Sequence, residues 1–178
     1  MLDLTGAAAD SPEGIKEGIM PKTALLTLLV LLALALCAPA ISGGGLPKPD
    51  AASVWSYITK DSPYQKWQSW PDYQGLHRAR SPHGPYNKVY VNQAGLTSKK
   101  APANYGTLEV KVAQTKEGQV RDITVQYKVK GYNPAAGDWF WAVYTPQGKV
   151  KASGKVNGCI RCHGAAADND YIMVHSFK

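Results

Sequence analysis

The chain has 178 residues, 44% of them hydrophobic and 19% charged, with 17 Gly, 12 Pro and 3 Cys. That is the composition of one ordinary globular domain, and it excludes a disordered chain, a collagen, a disulfide-dense scaffold and a multi-span membrane protein. The excess of 20 Lys and Arg over 13 Asp and Glu gives a net charge of +7, which favours anionic partners without naming one.

Residues 1–19 carry Asp3, Asp10, Glu13 and Glu17, a poor start for an export signal, so Met20 is expected to be the true start and 1–19 an upstream extension. Residues 20–40 read as a signal peptide: Lys22, an apolar stretch from Ala24 to Leu36, then Ala38-Pro39-Ala40 before a cut after Ala40. The stretch falls short of the roughly 20 residues of a spanning helix, and no basic stop-transfer cluster follows, so no stable membrane insertion is expected after cleavage. An uncleaved anchor and lipid attachment at Cys37 are the alternatives, the latter disfavoured by the bulk of Leu36. Loss of 1–40 leaves 18 basic against 9 acidic residues, a small basic protein of the periplasm or another exported compartment. A free dithiol does not persist there.

Residues 41–49 are rich in Gly and Pro and read as a flexible leader, and the folded domain is expected to span 50–178. Asp50 is a good N-cap, and Val54, Tyr57 and Ile58 fall at helical spacing, which predicts a helix over Ala51–Lys60. A second helix is predicted from Tyr64 to Trp70, stopped by Pro71. The period then changes to two. Val89–Val91, Thr107–Ala113, Val120–Lys130 and Trp139–Thr145 are β-branched or aromatic segments separated by Gly, Pro and Asn. In the third, Ile123, Val125, Tyr127 and Val129 share one face and Thr124, Gln126, Lys128 and Lys130 the other, a strand expected to be covered on one side only. Thr145-Pro146-Gln147-Gly148 predicts a hairpin turn returning along Lys149–Val156. The outline is an α+β domain, mostly an antiparallel β-sheet with a few short helices.

Cys159-Ile160-Arg161-Cys162-His163 is C-x-x-C-H, the attachment site of a c-type haem. Two thiols reach the two vinyl groups on one porphyrin edge while the next residue turns its imidazole to the iron, so one covalently attached haem c is expected, tethered by Cys159 and Cys162 with His163 as proximal iron ligand. A thioredoxin-like pair would need a βαβ context, and a zinc site a second ligand pair. Four side chains compete for the sixth iron position. In DYIMVHSF, alternation places Tyr171, Met173 and His175 on one face and Ile172 and Val174 on the other, which makes Met173 a packed strand residue. His175 and His77 read as surface or packing residues. His83, in Ser81-Pro82-His83-Gly84-Pro85, either fixes its turn or lines a pocket.

The run GYNPAAGDWFW from Gly131 to Trp141, Trp70-Pro71, Pro82-His83-Gly84 and the late C-I-x-C-H followed by Asp170-Tyr171 together resemble the cytochrome P-460 family. The resemblance runs from about Tyr64 to the C-terminus. It implies a cytochrome P-460-like fold, a homodimer and a five-coordinate haem. Enzymes of that family oxidise hydroxylamine or nitric oxide and carry a Lys bonded to the porphyrin, which the resemblance puts at Lys111. The residues alone read otherwise: Leu108, Val110 and Val112 share one strand face, leaving Glu109 and Lys111 on the other as a solvated ion pair. The resemblance also implies a carboxylate over the distal haem face, from the strand before the GYNP segment. Ile123–Lys130 has none, and the matching position is Thr124 or its neighbours; an Arg of the same pocket would fall near Asn87 or Lys88. The related cytochromes c-prime-beta cap the pocket with Phe, but only Phe140 and Phe177 are present, and Phe140 reads as core. Trp139, Trp141 and Tyr132 are expected to wall the domain or pocket.

The function this implies is oxidation of hydroxylamine or nitric oxide, with a small nitrogen ligand at an open haem iron, a redox partner cytochrome and no nucleic acid. A non-enzymatic nitric oxide or carbon monoxide binder, favoured by the missing carboxylate, and a simple electron-transfer cytochrome are the alternatives.

Overall fold

The computed structural model describes residues 45–79 and 82–177. The expected extension 1–19, signal peptide 20–40 and the first part of the leader lie outside the described residues.

Asp50 caps the first helix as its sequence position requires: its carboxylate accepts from the Ser53 amide at 2.8 Å. Helix α1 (Ala51–Ser56) runs on into a single wide turn over Tyr57–Asp61, so helical backbone covers the predicted span. Beyond it the prediction fails. Only Tyr64–Lys66 is helical, as a 3-10 turn; Trp67 is extended and Gln68 bridges to Val91. The Val91 amide, at the end of a strand, donates to the Gln68 carbonyl at 2.8 Å, and the Trp70 indole donates to the buried Glu109 carboxylate, so tertiary partners override the local helical pattern.

Six strands follow in a plain antiparallel meander: β1 (Leu76–Arg78), β2 (Tyr86–Val91), β3 (Leu108–Gln114), β4 (Val120–Lys128), β5 (Trp139–Tyr144) and β6 (Val150–Gly154), each paired with the next. A short helix α2 (Gln93–Leu96), capped by the Asn92 side chain, separates β2 from β3. Neither β1 nor α2 is predicted; each is too short to show a period. The β5–β6 hairpin closes through the predicted turn, with the Thr145 amide donating to the Lys149 carbonyl at 2.9 Å. Gly148 sits there at φ +86, where any Cβ would come within 2.5 Å of the Trp55 indole, so both conformation and space demand glycine.

The sheet has two buried faces. Leu108, Val110, Ile123, Val125, Tyr127, Phe140 and Tyr144 point to α1 and pack on Val54, Ile58 and Tyr64. The other face carries Val89, Val91, Trp139 and Trp141, packed against Trp70 and Ile172. The expectation that β4 is covered on one side only is therefore corrected, since Gln126 and Lys128 are buried too. The C-terminal part supplies the second cover: helix α3 (Asn157–His163), a 3-10 segment Gly164–Asn169, then irregular chain. DYIMVHSF is not a strand. Asp170 and Tyr171 both take left-handed backbone angles, φ 55 and 63, which break the alternation, and Met173 is 51% exposed rather than packed. Among the described residues, no helix is long and apolar enough to cross a membrane.

Candidate functional site

Cys159, Cys162 and His163 stand at i, i+3 and i+4 of α3, spacings that bring side chains to one face of a helix. That face closes a cavity of about 440 Å³ against the sheet. The cavity floor is a block of neighbours fixed by register: Glu109 beside Gln126, Lys111 between Val89 and Thr124, and Gln126 beside Trp141. Pro82, His83, Asp122 and Lys151 also line it, the last two partly exposed. Both thiols are free, Cys159 half-buried and Cys162 exposed; burial pushes the Cys159 thiol above its ordinary value.

His163 is aimed by the chain after it. Its Nδ1 lies 2.8 Å from the Tyr171 carbonyl, which can only accept, so Nδ1 carries the proton and Nε2 keeps its lone pair. Burial pushes the imidazole down to about 4, an effect that the Tyr171 carbonyl opposes and the Lys111 charge reinforces, so the ring is neutral at pH 7. Tyr171 is held in turn by Asp170, whose carboxylate takes Lys128 Nζ at 2.7 Å and the Ala103 amide at 2.8 Å, both buried. The Trp139 indole donates to the Asp170 carbonyl at 2.9 Å. Asp138 organises the Gly131-Tyr132-Asn133-Pro134 turn similarly, its carboxylate accepting from the Gly131 and Asn133 amides and the Tyr105 hydroxyl. The two sequence runs singled out above are thus the frames of the sheet and of the C-terminal helix.

The ion pair expected in solvent is buried: Glu109 is 2% and Lys111 6% exposed, and Lys111 Nζ stands 3.9 Å from Glu109 Oε1. Glu109 also accepts from the Trp70 indole at 2.6 Å, and burial raises its carboxyl above the ordinary value although Lys111 and Trp70 pull the other way. Ile123–Lys130 holds no carboxylate, but β4 begins at Val120 and so carries one just ahead of that stretch. Asp122, two residues before Thr124 on the same face, lines the cavity and pairs with Lys151 at 2.7 Å. The alternation Thr124, Gln126, Lys128 extended one step back reaches it, and that was the available signal. Thr124 lines the cavity beside it, its hydroxyl 3.4 Å from the Lys111 carbonyl.

Asn87 and Lys88 do not line the cavity; Asn87 accepts from the Tyr73 hydroxyl, and Lys88 lies over Tyr90. Trp141 lines it, 4.6 Å from the His163 ring, whereas Trp139 packs in the neighbouring cluster and Tyr132 on the opposite face against Phe140. Phe140 is core, as expected. His175 and His77 have packing roles: His175 stacks on Trp70 at 4.3 Å and donates to Asp72 at 2.6 Å, and His77 stacks on Tyr73 at 3.8 Å. His83 lines the cavity.

Two buried donors in the floor, Gln126 Nε2 and Trp141 Nε1, have no hydrogen-bond partner among the described residues. Orphaned buried donors are costly, and an acceptor-bearing occupant of the cavity would satisfy them. Two thiols and a neutral imidazole on one turn, a cavity of ligand size and unpaired donors on its floor together fit a haem. A family model for cytochrome P460 matches residues 62–174, more than half of the chain. The chain belongs to the cytochrome P460 family. Its cofactor is therefore haem, and its α+β meander is a cytochrome P460-like fold. No curated protein matches the chain.

Proposed function

We propose that this cytochrome P460 family member is an exported mono-haem c-type cytochrome that takes a small nitrogen ligand at its iron, oxidises hydroxylamine or nitric oxide, and passes the electrons to a partner cytochrome. The observation that carries the reading is a single cavity shared by the Cys-x-x-Cys-His turn and a buried amine, with a partly exposed carboxylate lining it. A bound haem supplies a redox-active iron. The Sγ atoms of Cys159 and Cys162 hold it by thioether bonds, His163 Nε2 is the proximal ligand, and Lys111 Nζ is the group for a further covalent link. Asp122 is the base for a proton leaving hydroxylamine, and Lys151 holds that carboxylate in place at 2.7 Å. With Asp122 lining the cavity, the non-enzymatic reading loses the missing carboxylate that favoured it.

The same reading includes cleavage after Ala40, a periplasmic location and a homodimer, for which the family resemblance and the N-terminal sequence are the support. The basic balance after cleavage suits docking to an acidic electron acceptor. The test is protein matured in a host competent for cytochrome c assembly. A c-type spectrum, a mass increased by one haem, a peptide joining Lys111 to the porphyrin and steady hydroxylamine turnover with an artificial acceptor are expected. A colourless product at apoprotein mass sinks the haem attachment. A coloured protein that binds carbon monoxide but never turns over is a ligand binder instead.

A further inference from the structure

We propose that Glu109 is the proton acceptor that frees the Lys111 amine to react, so that the chain forms its own Lys111–porphyrin bond when hydrogen peroxide is supplied. The proposal rests on the haem and the Lys111 link read above, and adds the group that makes the link possible.

Glu109 and Lys111 stand two residues apart on β3, so both side chains leave the same face of the sheet, and both line the cavity. The two carboxylate oxygens have different partners. Oε2 accepts from the Trp70 indole at 2.6 Å, which fixes the carboxyl group, and Oε1 is left toward Lys111 Nζ, 3.9 Å away. An indole donates without ionising, so Lys111 is the acid of this cluster.

Among the described residues one other lysine is buried, and it shows how a structural ammonium is held. Lys128 Nζ has Asp170 Oδ1 at 2.7 Å and the Gly137 carbonyl at 2.8 Å. Lys111 Nζ has no acceptor within hydrogen-bond distance among the described residues, and its one carboxylate oxygen lies at 3.9 Å. A buried ammonium held so loosely gains little from its charge. Moving one proton to Oε1 leaves two neutral groups and a nitrogen lone pair in the cavity. Burial raises the Glu109 carboxyl above its ordinary value, against the pull of Lys111, Trp70 and His175, which suits it to hold that proton.

The other titratable groups around the pair are His83, His163 and Asp122 with Lys151 in the same cavity, and Tyr73 and His175 on the Trp70 side. A proton passed inside the pair leaves the net charge they face unchanged. The transfer is therefore insensitive to the pH outside.

Forming the link breaks one Nζ–H bond and one C–H bond of the porphyrin rim and makes one C–N bond. Two protons and two electrons leave, and hydrogen peroxide takes them as its O–O bond breaks to give two waters. The proton that the ammonium had already lost to Glu109 passes out to water. The linked protein is thus two hydrogens lighter than the unlinked one.

The experiment treats the haem-loaded full chain, matured without air, with hydrogen peroxide, and follows intact mass and the Lys111–porphyrin peptide. Wild type is expected to lose two hydrogens at a rate nearly flat between pH 7 and 9. Glu109→Gln keeps an acceptor for Trp70 and removes the base. It is expected to carry its haem, to link at least tenfold more slowly at pH 7, and to recover as the pH rises toward the ordinary lysine value of about 10.4. Glu109→Gln linking at the wild-type rate at pH 7 overturns the proposal and leaves the haem and the link intact. Should Glu109→Gln fail to mature, the wild-type profile decides. A rate that climbs about tenfold per pH unit from 7 to 9 is that of an amine without an internal base, and it overturns the proposal equally. Wild type that carries haem but never links overturns the Lys111 reading and this proposal together, and protein without haem overturns the haem reading as well.

Discussion

Asp122 and Lys111 both face the cavity, yet their surroundings give them different work. Lys111 is buried on the floor with one distant carboxylate for company, whereas Asp122 is partly in water and held by Lys151. A partly exposed carboxylate can exchange protons with solvent between turnovers, which a base must do. Asp122→Asn keeps the shape and removes the basicity. It is expected to lower hydroxylamine turnover by about 10²–10⁴ with the haem spectrum unchanged, measured with an artificial acceptor. An undiminished rate would remove Asp122 from the chemistry. Neither role is visible in the local sequence, because alternation says that Asp122, Thr124, Gln126 and Lys128 share a face but not what lies over it.

At the scale of elements, the link between β4 and the chain after α3 is one buried ion pair. Lys128 Nζ meets Asp170 Oδ1 at 2.7 Å and the Gly137 carbonyl at 2.8 Å, beneath the Trp139 ring. Breaking one side of such a pair leaves an uncompensated buried charge and costs about 3–5 kcal/mol. Asp170→Asn tolerates the left-handed backbone at that position, so its expected loss of stability of that order, measured by denaturant unfolding, reports the charge and not the turn. Lys128→Met added to Asp170→Asn is expected to recover part of the loss. Because Tyr171 follows directly, the single variant is also expected to loosen His163 and shift the haem reduction potential. The sequence shows this Lys on a polar-looking strand face and this Asp in a short motif near the C-terminus. Their meeting, 42 residues apart, is a product of the meander.

Across the whole molecule, one sheet separates two kinds of interior. The α1 side is an apolar core in which one helix covers the central strands, while the opposite side brings together Trp70 and Asp72 from one end of the domain and His175 and Phe177 from the other. Asp72 pins the tail by accepting from His175 Nδ1 at 2.6 Å and from the Ser176 amide at 3.1 Å. Burial would raise its carboxyl, but the His175 and Ser176 hydrogen bonds outweigh that and hold it below its ordinary 3.8. Its stabilising share is therefore complete above that ordinary value and is lost as pH falls through the depressed one. Protection of the Ser176 amide from hydrogen exchange is expected to fall toward that of Asp72→Asn as the pH is lowered below about 4. Equal protection in both proteins at neutral pH would show that the contact holds nothing.

What the sequence determined by itself follows from short-range geometry. The Cys-x-x-Cys-His spacing puts three ligating groups on one helical face wherever the helix lies, Asp50 caps α1 from its own backbone, and period-two alternation with a Pro-Gln-Gly turn sets the β4–β6 meander. The predicted helix over Tyr64–Trp70 and strand through Asp170–Phe177 failed because distant partners, the Val91 amide and the Lys128 amine, reward other conformations. Only the tertiary structure decided that Glu109 and Lys111 are buried and that Asp122 lines the same cavity as His163. A residue's type and its strand face are local properties, but burial and charge environment depend on what the remainder of the chain lays over that face.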